Sequence, residues 1–543
     1  MNTLPDRPDP DQLERQAKEL LAACRAGDPA AIERFRQSLP AAAGRSDDAI
    51  RTAGYRLHDA QSCLAREYGF ASWSAMRAFV DARRLRDASP ATRRAAFLQA
   101  LYPGDICGGM DRPRPAQALR LLEAYPEVAA DCPITACSTG DIDTVRQAIA
   151  ADGGWVNRPG GPLALPPLVA ATHSGLLQHA GIRPGIIEVV RLLLTSGAEP
   201  GQSVGSRWPP ASPAEPSDEA RLSALYGAAG NNHDAELTAL LLEAGADPDD
   251  GESLYHSLEA PECTRLLLAA GATVTGTNAL FRVLDLDDVA TLRLLLDHAK
   301  GAPELGDGRL LFWAIRRRRS PAHVEALLEA GVPADARNRT GRSAAQMARR
   351  YGLAEIAERL GEPGGQLTST PEERFIAACA RADVATARRI RDSKPDVLDR
   401  LGPADLRLLP ELAGAGASEA VRVMVSLGWP VETRGGDWDA SALNHAVFRG
   451  DVALTRFLLD RGASWRAQHG FGDDVSGTLA WASLNRPEPD GDWEACALAL
   501  HAHGMSGLIP DPSDPTILLL EGRPRRFSEE VTACLLEAEA PLP

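Results

Sequence analysis

A glycine recurs behind a Leu-rich apolar segment along most of the chain, and its spacing restricts the fold more than any other feature. The segments RLLLTSGAEP (191–200), TALLLEAGADP (238–248), TRLLLAAGATV (264–274), EALLEAGVPAD (325–335), VRVMVSLGWPV (421–431) and TRFLLDRGASW (455–465) share one design. Each reads as the apolar end of a helix, a closing Gly and a short extended stretch. A Gly suits that place because the residue closing a helix is left-handed and a side chain there clashes with the backbone. Gly197, Gly245, Gly271, Gly331, Gly428 and Gly462 mark the copies, and Gly301 holds the same place after RLLLDHAK. From Gly197 to Gly331 the period averages about 33 residues, and about three more periods reach Gly428. Weaker copies, AAQMARRYGLAEIAERLGE (344–362) and FIAACARADVATARRIRDSKP (375–395), fall where that period requires them.

A second, shorter apolar patch precedes each glycine: SALYGAAGNNH (223–233), SLYHSLE (253–259), NALFRVLD (278–285), RLLFWAIRR (309–317) and SALNHAVFRGD (441–451). One unit is therefore short helix, turn, longer helix, Gly and loop. Neither helix can hide its apolar stripe alone, whereas stacked neighbours bury a continuous core. The period and order resemble the ankyrin repeat, whose inner helix opens with TPLH-x-AA and whose outer helix ends LLL-xx-GA. Ser-Ala-Leu-Tyr (223–226) and Ser-Ala-Leu-Asn (441–444) stand where TPLH would, and GADPDD (245–250) lies nearest the consensus. The resemblance spans residues 125–508, about eleven units. It implies an all-α fold, an ankyrin-repeat solenoid of stacked helix pairs with short hairpin loops; the alternative is another solenoid of helix pairs. The Pro/Ser-rich stretch 199–219 enlarges one unit to about 48 residues and predicts a projecting or mobile finger. The unit from Gly245 to Gly271 is clipped to about 26 residues.

Residues 1–82 lack the repeat and predict a small helical module. Leu13, Ala17, Leu20, Leu21 and Cys24 share one helical face that stops at Gly27, and two short helices flank Gly69, with Phe70 and Trp73 as core aromatics. The combination QAKELL, AGDP and DAQSCLAREYGFASWSAMRAFV is similar to a leader that precedes the repeats of many bacterial ankyrin-repeat proteins, for which no enzymatic activity is implied. Residues 83–124 predict a connector with helices near 91–101 and 115–124, joined by the Gly-rich loop 102–113; residues 509–543 predict a C-terminal cap or tail.

The chain of 543 residues carries 74 acidic against 58 basic residues, a formal charge of -16, which argues against general binding to nucleic acid or anionic membranes. No apolar run reaches membrane-spanning length and the N-terminus has no apolar signal region, so a cytoplasmic protein is expected. Nine scattered cysteines without a CxxC pair read as reduced core residues.

Chemistry-bearing motifs are weak. Gly201-Gln202-Ser203-Val204-Gly205 fits the GxSxG nucleophile pattern, but no strand run precedes it and no helical pattern follows. A phosphate-binding GK pair is missing, because Lys18, Lys300 and Lys394 follow Ala or Ser. His501 and His503 face apart on a helix, and His173 and His179 read as loop and surface residues. The expectation is a monomeric, non-enzymatic scaffold for a protein partner, with no catalytic residue, cofactor, metal, nucleic acid or membrane. The alternatives are a secreted or host-directed ankyrin effector and an enzyme activity in the N-terminal region.

The resemblance implies that partners meet the concave face of the inner helices and the hairpin loops. Aligning the inner helices on TPLH-x-AA-xx-G places His256, Arg282, Trp313, His445 and Trp481 at the position after the motif's His, and Arg316, Arg317 and Phe448 one turn on. Trp208, in the long loop, is a further candidate anchor. Trp and Arg dominate interface energetics, so Trp313, Arg316 and Arg317 are expected to anchor an acidic or extended segment. Replacing Trp313 and Arg316 by Ala is expected to weaken a captured partner by about 2 kcal/mol or more, measured by titration of the purified pair.

Overall fold

Serine and aspartate determine where the helices begin. At inner helices the hydroxyls of Ser223, Ser343 and Ser441 accept from the amides of Tyr226, Gln346 and Asn444. At outer helices the carboxylates of Asp141, Asp234, Asp288, Asp383, Asp451 and Asp492 do the same for the first turn. Each such cap contributes about 1 kcal/mol, which matters for helices of two or three turns.

The computed structural model describes residues 4–5, 8–109, 111–130, 132–361, 370–512 and 518–538. Met110 of the 102–113 loop, Glu362 at the end of the 344–362 copy, and parts of the expected terminal segments (1–3, 6–7, 513–517 and 539–543) lie outside the described residues. Helix makes up 59% and strand 4%, so among the described residues there is no sheet layer to build a core on, and the fold is all-α, of stacked helix pairs. The chain divides into two units, Met1–Arg282 and Val283–Pro543.

The first unit opens with helices Pro10–Ala26, Pro29–Ser38, Asp47–Arg51, Leu57–Glu67 and Trp73–Arg84. Ala17, Leu20, Leu21, Cys24, Phe35 and Leu64 form their core, with Leu13 in a second cluster beside Met76 and Val80. Phe70 and Trp73 pack against that cluster but remain partly exposed, so they close its edge instead of filling it. Helices Pro90–Leu101 and Pro115–Ala124 follow, and then pairs of inner and outer helices: Pro133–Thr139 with Ile142–Ala151, Pro167–Thr172 with Arg183–Thr195, Ala224–Tyr226 with Ala235–Glu243, and Ser253–His256 with Pro261–Ala269. Inner helices pack on inner and outer on outer.

In the second unit the inner helices Arg309–Arg316, Ala344–Arg350, Pro371–Ala380, Leu408–Gly414, Ala442–Phe448 and Val475–Asn485 pair with Pro321–Glu329, Ala354–Leu360, Val384–Ser393, Ser418–Ser426, Val452–Asp460 and Trp493–Ala502. Leu295, Leu327 and Leu458 of outer helices and Leu310, Leu409 and Leu479 of inner ones are fully buried, each contributing roughly 2 kcal/mol. The segment after the last pair forms a three-stranded antiparallel sheet (Ile509–Pro510, Leu518–Leu520, Arg523–Pro524) and a helix, Glu529–Ala538, packed on Trp493–Ala502.

The glycines predicted to close outer helices all have positive φ, from 80° at Gly301 to 99° at Gly271. The turn between inner and outer helix needs the same hand, and here the sequence departs from glycine: His233, Asp287, Arg318, Ala382 and Arg486 adopt it with φ between 46° and 59°. A left-handed non-Gly residue costs about 1–2 kcal/mol, so the packing of neighbouring pairs imposes the turn even where the residue resists it. Two glycines of one repeat separate the two reasons for glycine. A Cβ on Gly462 would meet nothing within 4 Å, whereas one on Gly450 would lie 2.6 Å from Asp492 N and Gly491 Cα. Gly462→Ala is expected to lower stability by about 1–2 kcal/mol and Gly450→Ala by roughly twice that, read from the midpoint of urea unfolding.

Candidate interaction surface

In an array of helix pairs, the side of the inner helices turned away from the outer helices is the surface left for contact. In each unit part of that surface is covered by the protein's own loops.

In the first unit the cover is the Gly-rich loop 102–113 together with the Pro/Ser-rich stretch 199–219. The buried Tyr102 donates its hydroxyl to the Ala170 carbonyl at 3.1 Å, and Tyr226 donates to Asp105 Oδ2 at 3.4 Å. Arg207, 3% exposed, donates to the carbonyls of Ile106 at 2.6 Å and Leu163 at 2.5 Å, and its own N–H donates to the Asp105 carbonyl at 2.8 Å. Nη1 and Nη2 of its guanidinium meet backbone carbonyls, Nε has no hydrogen-bond partner among the described residues, and burial pulls its pKa down. Strand Ser203–Gly205 pairs with Arg221–Ser223. Ser206 and Ser217 are joined backbone to backbone, and a Cβ on Gly205 would lie 2.2 Å from the Ser217 carbonyl oxygen. The stretch 199–219 is therefore not the projecting finger that its composition predicts. It folds back, because Arg207 gains buried carbonyl partners that an extended loop could not offer.

His173 also departs from expectation. It is fully buried, with Nε2 2.9 Å from the Ser223 carbonyl, and burial pushes its pKa down, against the attraction of Asp105. It sits at the end of the inner helix Pro167–Thr172, and PLVAATHSG (167–175) is the inner-helix motif ahead of Gly197, a signal that the sequence reading missed. His179 is exposed. His256 keeps a half-exposed ring against Tyr226 and Tyr255 and approaches Glu252 at 3.2 Å, while Arg282 donates to Glu259 at 2.8 Å. Trp208 is 50% exposed.

In the second unit the cover is the hairpin of strands Arg434–Gly435 and Ala440–Ser441. Its tip carries Asp437 and Trp438. Asp437 accepts from Arg316 at 2.9 Å and from Arg317 at 2.5 Å. Arg317 also donates to Asp285 at 2.5 Å and lies 4.4 Å over the Trp313 ring, whose Nε1–H donates to Asp285 at 3.1 Å. Burial opposes ionisation of Asp437, but Arg317 and Arg316 outweigh it and hold the carboxyl below the ordinary range. Trp313, Arg316 and Arg317 are thus brought together as the motif placed them, but their charges already meet carboxylates of the same chain.

His445 is the clearest correction among the site residues. It is not solvent-facing but 5% exposed, roofed by the hairpin: Nε2 is 3.4 Å from the Gly435 carbonyl and Trp438 meets the ring edge-on at 4.7 Å. Burial pushes its pKa down to about 4. Beyond it the aromatics continue outward. Trp438 contacts Phe448 at 5.8 Å, and Phe448 stacks on Trp481 at 5.4 Å with the planes 10° apart. Trp438 also meets His469 at 5.2 Å, and His469 meets Phe471 at 5.8 Å. Phe448 is half-buried, Trp481 is 52% exposed and Phe471 83% exposed. Sequence reading missed Asp437, Trp438 and Phe471; the string RGGDWDAS (434–441), a Gly-rich turn bearing Trp just ahead of an inner helix, was the available signal.

At Ser203 the nucleophile elbow is not formed. The hydroxyl accepts from Arg221 Nε at 3.0 Å, and the strand leads into a loop, not a helix. His501 and His503 contact the backbone carbonyls of Met505 and Ala499, each at 2.8 Å. Among the described residues no group of three His, Cys, Asp or Glu side chains could hold a metal, and no helix is long and apolar enough to cross a membrane.

The geometry defines the class as an all-α array of helix pairs whose inner face is partly roofed by its own loops. No protein-family model and no curated protein matches the chain. Among solved structures it is similar to the human ASB11 ankyrin repeat domain, at 18% identity over 40% of this chain and 96% of that one, with a TM-score of 0.20. It is also similar to the ankyrin repeat domain of Bcl-3, of the IkappaB family, at 18% identity over 48% and 99% of the two chains, with a TM-score of 0.21. At such scores the superpositions carry no argument, and the fold rests on the helix pairs themselves.

Stability in acid follows from His445. Its folded pKa lies below the ordinary value of about 6.5, so the unfolded chain binds more protons as pH falls from there to about 4. Stability is expected to be full above that window and to decline through it by about 3 kcal/mol, with His445→Gln flattening the decline in thermal unfolding from pH 7 to pH 4.

Proposed function

We propose that the chain is a non-enzymatic scaffold of the ankyrin type, binding a protein partner on the inner-helix face of its second unit. The observation that carries this reading is the aromatic ladder Trp438, Phe448 and Trp481, flanked by Phe471, whose outer members stand in solvent. Aromatic side chains are costly to leave wet and rich in contact area, so an ordered, stacked group at a surface is the kind of anchor on which interfaces concentrate their energy. The stack holds Trp481 in place before any partner arrives, which lowers the ordering cost of association.

Within this reading Trp313, Arg316 and Arg317 act at one remove. They pin Asp437, and with it the hairpin that presents Trp438. Their pairing with Asp285 and Asp437 makes them poor free anchors for an acidic segment, so the partner chemistry favoured is an extended segment with an apolar anchor residue. In the first unit, where the loop 102–113 and Arg207 occupy the inner face, His256, Arg282 and Trp208 supply only a smaller, rim-like surface. The bacterial origin implied by the resemblance of residues 1–82 to a leader belongs to the same proposal.

Quantitative affinity capture from a native lysate, comparing the wild-type chain with a Trp481→Ala/Phe471→Ala variant of unchanged circular dichroism, tests it. The captured partner is expected to be lost from the variant, with a fall in affinity of about tenfold or more when the purified pair is titrated. Equal capture by both proteins rules out the aromatic ladder as the contact surface.

A further inference from the structure

Most arginines that line the second unit are tied to carboxylates: Arg293 to Glu329, Arg316 and Arg317 to Asp437, Arg466 to Glu521 and Arg525 to Asp473. That is what an acidic chain offers, with acids outnumbering bases 74 to 58. One place breaks the pattern. A cavity of about 480 Å³ opens between helices Ala344–Arg350, Pro371–Ala380 and Val384–Ser393, and five arginines line it. Arg350 is held by Asp405 at 2.7 Å. Arg349, Arg374, Arg381 and Arg389 have no described carboxylate within ion-pair distance.

The acids closest to this cavity are engaged on backbone. Glu373, which lines it, accepts from the Thr370 amide at 3.2 Å. Asp383 accepts from the Thr386 amide at 3.0 Å, and this bond, more than the nearby Arg381 and Arg389, holds its carboxyl below the ordinary range. Four arginines, Arg349, Arg374 and Arg389 on three helices and Arg381 on the turn between two of them, therefore line one concavity, with Thr386 and Ser393 beside them and Ile390 and Ala377 as apolar lining. Arginine presents paired N–H donors that match phosphate oxygens, and unpaired like charges gathered in a hollow lose their mutual repulsion when an anion enters.

We propose that this cavity binds a small organic anion bearing two or more phosphate groups. Its volume lies within the range of small-molecule sites, roughly 300–1,000 Å³, and its walls come from three helices instead of running as a stripe along one face. A stripe is what the backbone of a nucleic acid needs, and a single hollow suits a compact polyphosphate. The site is separate from the aromatic ladder and does not depend on the partner-binding reading.

Inorganic triphosphate is the probe, titrated calorimetrically into the full chain at about 50 mM salt, with citrate and a single-stranded oligothymidylate in parallel. Triphosphate is expected to bind at one site, to raise the unfolding temperature and to lose affinity steeply by about 200 mM salt. Arg374→Gln/Arg389→Gln is expected to weaken it about tenfold or more, and Arg349→Gln/Arg381→Gln likewise, while Arg339→Gln on an exposed loop leaves it unchanged. Circular dichroism checks that each variant is folded, and two independent pairs keep the test decisive if one is not. Absence of a binding heat and of a thermal shift overturns the proposal, as does wild-type affinity retained in both variant pairs. Citrate binding as tightly as triphosphate overturns the phosphate assignment, and tighter binding of the oligonucleotide overturns the small-ligand assignment.

Discussion

Every helix pair in this chain leaves an apolar edge that only another pair can cover, and that debt organises the structure. Inner helices lie on inner helices and outer on outer, with leucines at the seam excluded from water. Burial at those seams is worth enough to impose a left-handed turn on Ala382 or Arg318, where the local preference opposes it. Local chemistry and tertiary packing agree at the serine and aspartate caps and at the closing glycines. They disagree at the inner turns, where packing prevails.

The same logic explains why the inner face is not bare. Inner helices are short and carry aromatic and charged side chains at the positions their outer partners do not reach. A loop that settles there gains hydrogen bonds and contact area without disturbing the seams. Arg207 is the extreme instance: a cation buried among carbonyls, stable only because two separate loops supply them. Asp437 is the counterpart in the second unit, a carboxylate carried by a hairpin to a pair of arginines that neutralise it. Roofing by a hairpin also buries His445, which ties a surface motif position to acid sensitivity. What remains open to solvent, the outer end of the aromatic ladder and the arginine-lined hollow, is chemically unlike the covered parts, one apolar and one cationic.

Much of the fold was legible because its signals are local and periodic. The first helix, with Leu13, Ala17, Leu20, Leu21 and Cys24 inward, runs Pro10–Ala26 and stops at Gly27 as its pattern demanded. Trp313, Arg316 and Arg317 were placed side by side by motif alignment, and they do meet. His173, His445 and the stretch 199–219 were misjudged for one shared reason. Their exposure depends on what packs against them, the Ser223 carbonyl and Tyr226 at His173, the hairpin of Gly435 and Trp438 at His445 and the carbonyls of Ile106 and Leu163 around Arg207, and helical periodicity does not announce which segment will land on which helix.

The amino-acid sequence alone determined the repeating helix pair, its period and its closing turns, because these depend on side-chain spacing within about 33 residues and on backbone preferences of single residues. Only the tertiary structure decided which parts of the inner face are open. A side chain's accessibility and its charge partner are set by whatever packs over it, and here those covering groups come from loops up to 121 residues away.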